Sequence, residues 1–126
     1  MGITMVEATR NALADALVDL CDVGSADATG DLVIMAGGDV AVATLALSAT
    51  AFGAASGGVA TAAEISDDTN AAGGEAVAHK FQNRDNVEVW RGTTGTSGSD
   101  LNLSSTSINP GDTVSVSAYT VTMPAS

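Results

Sequence analysis

The chain has few basic residues and few aromatic residues. Four Lys and Arg stand against 15 Asp and Glu, which gives a formal net charge of −11. Nucleic-acid phosphates and anionic lipid headgroups would repel such a surface. We therefore expect neither nucleic acid nor a membrane among its partners.

Cysteine is almost absent. The single cysteine, Cys21, excludes an intrachain disulfide and any site built from several cysteines. Because Cys21 falls in a predicted helix, we interpret it as a small buried apolar residue rather than a reactive thiol. No stretch is long and apolar enough to span a bilayer, and the acidic residues near the start argue against a secretory signal.

Large apolar residues are also scarce. Val, Leu, Ile and Phe together make up about a fifth of the 126 residues, and the chain has only four aromatic side chains. The length predicts a single domain, residues 1–126. A core built from so few large side chains is thin, so we expect contacts with other subunits to add stability.

An amphipathic helix is predicted for residues 4–23. Its expected core face holds Val6, Leu13, Leu17 and Leu20. Its acidic side, expected to face solvent, holds Glu7, Asn11, Asp15, Asp19 and Asp22. Thr4 and Glu7 have the spacing of a capping box, and Gly24 stands where the helix should stop.

Short apolar runs separated by turn residues follow at intervals of roughly ten residues. The predicted strands are 31–36, 40–47, 59–65, 75–82, 87–91, 101–103 and 114–117. Residues 83–86 are predicted to form a hairpin turn. Residues 92–99 are interpreted as a loop or a loosely paired edge. This spacing predicts a mainly β fold: an antiparallel β-sandwich over residues 31–123, jelly-roll or immunoglobulin-like, preceded by the helix.

The last quarter of the chain, residues 98–123, carries the clearest alternation. A turn is predicted at 109–112, where Pro110 restricts φ and Gly111 tolerates positive φ. After the turn, apolar and polar residues alternate with a period of two, which predicts a strand with two different faces. One face holds Val114, Val116 and Ala118, and the other holds Ser115, Ser117 and Tyr119.

No catalytic, cofactor or metal site is assembled with conviction from the sequence. The only histidine, His79, lacks an evident nucleophile and orienting carboxylate, so we expect a structural or surface residue and no enzyme activity. Asp67, Asp68 and Asn70 form an oxygen-rich loop without the ligand spacing of an EF-hand. We expect a solvated loop there, and ion binding by Asp67 and Asp68 is left open.

Three residues are candidates for an interface: Trp90, Arg91 and Tyr119. Tryptophan and arginine are enriched among residues that dominate binding energy. The alternative for Trp90 is a core or cross-strand position.

Four segments together resemble a family of small structural proteins from the virions of tailed bacteriophages and tailed archaeal viruses. They are ATRNALADALVDL, AFGAASGGVATAAEISDD, AHKFQNRDNVEVWRGTTGTSGSDLNL and STSINPGDTVSVSAYTVTMP. The resemblance covers nearly the whole chain. It departs from the family in a shorter connection between Ala36 and Val40 and in a more acidic composition.

The resemblance implies a capsid decoration (cement) protein in the virion, assembled in the host cytoplasm. Its implied partners are copies of itself and the major capsid protein or another virion protein. A trimer is the first choice of oligomeric state. A turret, neck or tail-associated subunit is the alternative. A carbohydrate- or receptor-binding module is a further alternative, although sugar sites usually present several exposed aromatic residues and this chain has four in all.

Overall fold

The structure is a computed structural model that describes residues 3–124. Helix α1, Glu7–Asp19, continues into a 3₁₀ turn at Leu20–Asp22. Nine strands follow: β1 Asp31–Ala36, β2 Val40–Ala46, β3 Val59–Thr61, β4 Gly74–Glu75, β5 Ala78–Gln82, β6 Glu88–Gly95, β7 Leu101–Asn102, β8 Ser107–Ile108 and β9 Thr120–Thr122. A second 3₁₀ turn, Gly37–Asp39, joins β1 to β2. The fold is mainly β with one N-terminal helix, as predicted.

Five strands form one sheet in the order β2-β1-β5-β6-β7, and two-stranded ladders pair β3 with β9 and β4 with β8. The pairs β1–β2, β1–β5 and β5–β6 are antiparallel. The β6–β7 pair is parallel, because the chain loops back at residues 96–100 and runs in the same direction again. The sheet is therefore mixed and not purely antiparallel.

Strand β1 is the centre of the core. It has the predicted bounds, and its residues Leu32, Val33, Ile34 and Met35 are buried in succession. A run of consecutive apolar residues suits a strand that is covered on both faces and paired along both edges. The closing quarter of the chain contributes only short ladders to this architecture.

Helix α1 buries a different face from the one predicted. Ala14, Val18 and Cys21 have at most 1% exposure, whereas Leu13 is 44% and Leu20 48% exposed. Leu17 is half-buried, and Val6, before the helix, is exposed. The spacing i, i+4, i+7 of the buried residues defines a narrow stripe of small side chains that lets the helix lie close to β3 and β9.

The polar side of α1, predicted to face solvent, instead binds the loop at residues 51–58. Asn11 Oδ1 accepts a hydrogen bond from the Gly58 amide at 2.8 Å, and Asp15 Oδ1 accepts one from the Ala55 amide at 2.7 Å. Just beyond the helix, Asp22 Oδ1 accepts one from the Ala51 amide at 3.0 Å. These three bonds explain the face that is buried, since buried backbone amides need acceptors.

Of the two predicted ends of the helix, the start is wrong and the stop is confirmed. The capping box is wrong, because the N-cap is Val6 and no side chain caps the first turn. The stop at Gly24 is confirmed by a φ of +110°, which L side chains rarely adopt. The regular helix is accordingly shorter than residues 4–23.

Several strand predictions need correction. Strand β3 ends at Thr61, the segment predicted at 75–82 is split into β4 and β5, and Val77 between them is exposed. Residues 92–95 belong to β6, which fits the paired-edge alternative, whereas residues 96–99 lie outside any strand. Residues 114–117 form no strand beyond one bridge between Asp68 and Val114.

Burial along 114–119 follows the predicted alternation only in part. Val114 and Val116 are buried and Ser115 and Ser117 are exposed, but the expected order then reverses. Ala118 is exposed and Tyr119 is buried. Without a continuous ladder the chain does not keep a period of two, so Tyr119 turns into the core.

Both predicted turns are confirmed. The Asp112 amide donates to the Asn109 carbonyl at 3.0 Å, and Gly111 has a φ of +88°, as a turn with Gly at its third position requires. In the β5–β6 hairpin, Asn83 Oδ1 accepts hydrogen bonds from the amides of Asp85 and Val87. Among residues 3–124, no helix has the length and apolar character needed to cross a membrane.

Candidate functional site: an aromatic groove beside helix α1

The four aromatic residues of the chain converge in one cluster. Phe81 lies opposite Trp90 in the β5–β6 ladder, and their rings stack with centroids 4.5 Å apart. Tyr119 reaches the same cluster, with its ring centroid 4.6 Å from that of Phe81. Phe52 closes it from the loop that α1 binds, 5.8 Å from Trp90. Such ring pairs add stability beyond their buried area.

His79 lies inside this cluster with no exposed surface. Its Nδ1 is 3.1 Å from Thr94 Oγ1 and its Nε2 is 2.8 Å from the phenolic oxygen of Tyr119. Trp90 Nε1 donates to the same oxygen at 3.4 Å. These partners fit a neutral ring whose Nδ1–H donates to Thr94 while Nε2 accepts the Tyr119 hydroxyl proton.

Burial affects the protonation of both residues. It lowers the pKa of His79, although nearby groups at Thr93 and Asp100 oppose the shift. Burial also raises the pKa of the Tyr119 phenol, against the effect of the Trp90 hydrogen bond. The pair is therefore uncharged near neutral pH, and His79 is buried, so of the two alternatives given above it is the structural one and not the surface one.

A surface groove of about 230 Å³ runs between α1 and the aromatic cluster. We call it the aromatic groove; its wall includes Leu17, Trp90, Gly92, Asp100, Tyr119 and Val121. A second depression of about 240 Å³ adjoins it and shares Asp100, Tyr119 and Thr120. The two together form one elongated surface that passes over Asp100 and Tyr119. A third depression, of about 220 Å³, is lined largely by serine, threonine and aliphatic residues of 103–115.

The structure places the three predicted interface residues around this groove in different ways. Trp90 is half-buried and Tyr119 almost fully buried, and both contribute to the wall. Arg91 also borders the groove. Successive strand residues point to opposite faces, so its guanidinium lies on the other side of β6 from the Trp90 indole.

That guanidinium is held by two carboxylates. Arg91 contacts Asp39 at 3.0 Å and Glu88 at 2.7 Å, the two ion pairs found among residues 3–124. The register shift in the β5–β6 ladder makes Val89 an extra residue, which brings Glu88 to the face of Arg91. Hydrogen bonds from Arg91 lower the pKa of both carboxyl groups and raise that of the guanidinium.

Asp100 is the carboxylate of the aromatic groove, and sequence reasoning missed it. Its Oδ2 accepts hydrogen bonds from the Thr93 amide at 2.9 Å and the Thr93 hydroxyl at 3.1 Å, which lower its pKa. A Cβ added to Gly92 would lie 2.9 Å from both Asp100 and His79, so the glycine lets these residues approach β6. An aspartate in a Gly/Ser/Thr loop gives no sequence signal of this placement.

Two other residues singled out from the sequence, Asp68 and Cys21, are engaged within the fold. Asp68 accepts hydrogen bonds from the amides of Thr44 and Asn70, and its backbone bonds to Val114. Its carboxylate therefore holds the 66–73 loop against the edge of β2. Burial, aided by Asp22, raises the pKa of Cys21 to about 12, which suppresses the thiolate. Within residues 3–124, no three His, Cys, Asp or Glu side chains gather as a metal-binding group.

Comparisons with protein-family models, curated proteins and solved structures give no match to this chain.

Proposed function

We propose that this chain is a non-enzymatic structural protein of a viral particle. Within that class, the first choice is a capsid decoration (cement) protein that binds the outer capsid lattice and stabilises the particle. The four sequence segments that resemble virion proteins of tailed viruses support the proposal. The surface of α1 supports it independently.

The observation that carries the proposal is the uncovered apolar face of α1. Leu13 and Leu20 are 44% and 48% exposed, and Val6 just before the helix is 68% exposed. Leu17, between the two leucines, is half-buried at the aromatic groove. Exposed apolar residues that form a contiguous stripe indicate a protein contact. We assign this leucine stripe, Leu13, Leu17 and Leu20, to contact with a neighbouring virion subunit.

The environment of the reactive side chains favours a structural role over catalysis. Both ring nitrogens of His79 are engaged inside the core. Cys21 is buried and its high pKa keeps it protonated. A general base or nucleophile must be able to reach a substrate, and these two residues cannot.

The proposal includes assembly in many copies, with other copies of the chain and the major capsid protein as partners and the virion as location. A trimer is the first choice, which rests on the resemblance alone. Repetition on a symmetric lattice multiplies a modest affinity per contact. A thin core of small side chains is consistent with extra stabilisation by neighbours.

We also propose that the five-stranded sheet and the two short ladders form the layers of an irregular β-sandwich. One apolar cluster contains residues from β1 and β5 of the sheet, Ala60 of β3 and Ile108 of β8. A shared core between sheets is what a sandwich requires.

The alternatives differ in how they are tested. A turret, neck or tail-associated subunit shares the same apolar stripe, and genes adjacent to this one would separate it from a decoration protein. A carbohydrate- or receptor-binding module needs exposed aromatic faces. One face of Trp90 is covered by Phe81, and Tyr119 is 8% exposed, which disfavours a sugar-stacking platform.

The test is rebinding of the purified protein to particles from which it has been stripped. The variant Leu13→Ala/Leu20→Ala shortens the stripe while retaining good helix formers. Its control is Val40→Ala, at an exposed valine away from α1. We expect the unsubstituted chain and the control to rebind and the double variant to bind at least tenfold more weakly, about 1.4 kcal/mol. Failure of the unsubstituted protein to bind any virion component would refute the proposal.

A further inference from the structure

The aromatic groove combines three kinds of surface. Trp90 and Tyr119 supply aromatic rings, Leu17 and Val121 supply aliphatic walls, and Asp100 supplies a carboxylate. Cations are attracted to the faces of aromatic rings, and long cationic side chains bury their methylene groups against apolar surface. The same groove therefore offers a partner for each part of a lysine or arginine side chain.

The charges around the groove make it selective for a cation. Asp100 accepts hydrogen bonds from Thr93, which favour its ionised form, and it pairs with no basic side chain among residues 3–124. Arg91, the one basic residue at the border, is already held by Asp39 and Glu88 on the other face of β6.

Most of the basic residues of the chain are likewise occupied by its own groups. Arg10 donates to the carbonyls of Met5 and Gly57, and Arg84 donates to that of Ala49. With a net charge of −11, the surface thus presents acidic groups that its own cations do not cover. A second copy would bring the same charge, whereas a basic segment of another protein complements it.

We propose that the aromatic groove binds a lysine or arginine side chain from a partner protein. The aliphatic stem lies between Leu17 and Val121, and the charged head lies near Asp100 and the Trp90 ring. The adjoining depression beside Leu101 takes the neighbouring residues of the partner segment. The identification of the partner as another virion protein rests on the proposed function. The lysine or arginine chemistry of the contact does not depend on it.

The test uses the full chain and its only tryptophan, Trp90, as a fluorescent reporter in the groove. The probes are acetyl-Ala-Lys-Ala-amide and its neutral analogue with norleucine in place of lysine. A single side-chain contact is expected to give a dissociation constant in the millimolar range, so the titration extends to tens of millimolar. Amide shifts of Gly92 and Thr120 by nuclear magnetic resonance provide a second readout.

The matched variants are Asp100→Asn and Asp67→Asn. Both remove one negative charge, but Asp67 lies in the exposed 66–73 loop, outside the groove. We expect Asp100→Asn to weaken binding of the lysine peptide about fivefold, the upper end for an exposed ion pair, and Asp67→Asn to leave it unchanged within twofold. The norleucine peptide should bind at least tenfold more weakly than the lysine peptide.

Three outcomes overturn the proposal: no response of Trp90 or of the groove amides, equal binding of the two peptides, or equal weakening by the two variants. None of these bears on the rebinding experiment, which changes Leu13 and Leu20, and neither of these residues lines the groove. Conversely, a lysine-selective groove in a protein that binds no virion component would refute the virion role and retain the cation site.

Discussion

His79 Nε2 lies 2.8 Å from the phenolic oxygen of Tyr119 and joins β5 to the segment that precedes β9, forty residues further along the chain. Neither residue carries charge near neutral pH, since burial lowers the pKa of one and raises that of the other. This uncharged pair is the polar centre of an otherwise aromatic cluster, and it links the protonation of one imidazole to the stability of the fold.

Stability should fall as pH decreases below about 6.5. An unfolded histidine has a pKa of about 6.5, and the folded His79 a lower one, so between these values the unfolded chain binds the extra proton. The free energy of unfolding then decreases by up to about 1.4 kcal/mol per pH unit. Urea unfolding at several pH values between about 7 and about 5 measures this slope.

The control for this dependence is His79→Gln, which should flatten the slope over the same range. The carboxyl groups of Asp39, Glu88 and Asp100, whose pKa values are lowered, lose their contribution only at more acidic pH. Direct titration of the His79 ring by nuclear magnetic resonance serves if the variant does not fold. A pKa at or above 6.5 would contradict the prediction.

Tyr119→Phe should lower the free energy of unfolding by about 1–3 kcal/mol, because it leaves buried His79 Nε2 without a partner. The same change made together with His79→Leu should cost less than the two single changes combined, since the double variant has no buried imidazole nitrogen to leave unpaired. A double-mutant cycle measured by chemical unfolding gives the coupling between the two residues. Additive effects would show that the hydrogen bond contributes nothing specific.

The buried face of α1 is tested by the same substitution at two positions. Val18→Glu should destabilise the fold by several kcal/mol because it buries an unpaired charge, and Leu13→Glu should change stability by about 0.5 kcal/mol or less. Thermal unfolding of the two variants compares them directly. If Leu13→Glu were the more destabilising variant, the leucine face predicted from the sequence would be the buried one.

Gly24→Ala should destabilise by more than about 1 kcal/mol. The residue has a φ of +110°, and an added Cβ would lie within 2.9 Å of three atoms of Asp85. Gly37→Ala is the control, because an added Cβ there meets nothing within 4 Å. We expect the control to change the melting temperature little, and equal effects of the two substitutions would contradict the role of Gly24.

Self-association should strengthen as salt rises. Identical subunits with a net charge of −11 repel one another, and the screening length shortens from about 10 Å at 0.1 M salt to about 3 Å at 1 M. Sedimentation velocity at low and high salt, over a range of protein concentrations, measures the effect. A monomer under every condition would contradict assembly, whereas association that weakens with salt would indicate attractive charge contacts between copies.

Local patterns in the sequence predicted the local structure well. The apolar run at β1, the Asn-rich turn between β5 and β6, and the Pro-Gly turn at 109–112 are all confirmed. Each depends on residues a few positions apart, where the chain itself holds the interacting groups together. The stop at Gly24 belongs with them, since it requires only one residue with positive φ.

Predictions that depended on distant partners failed. Leucines dominated the expected core face of α1, yet the helix is placed by hydrogen bonds from the amides of Ala55 and Gly58 to Asp15 and Asn11. The alternation places Tyr119 on the face of Ser115 and Ser117, but these residues form no continuous strand, and Tyr119 is buried. Asp100 carried no sequence signal at all.

Residue patterns were enough to predict a mainly β chain with one N-terminal helix, a strongly acidic surface, a small core and the positions of its tight turns. These follow from composition and from interactions between near neighbours. The buried face of α1, and the groove shared by Trp90, Asp100 and Tyr119, are seen only in the folded chain. Backbone amides and aromatic rings from distant segments meet their partners only when the chain has folded, so a stripe of alanine, valine and cysteine can be buried in preference to leucine.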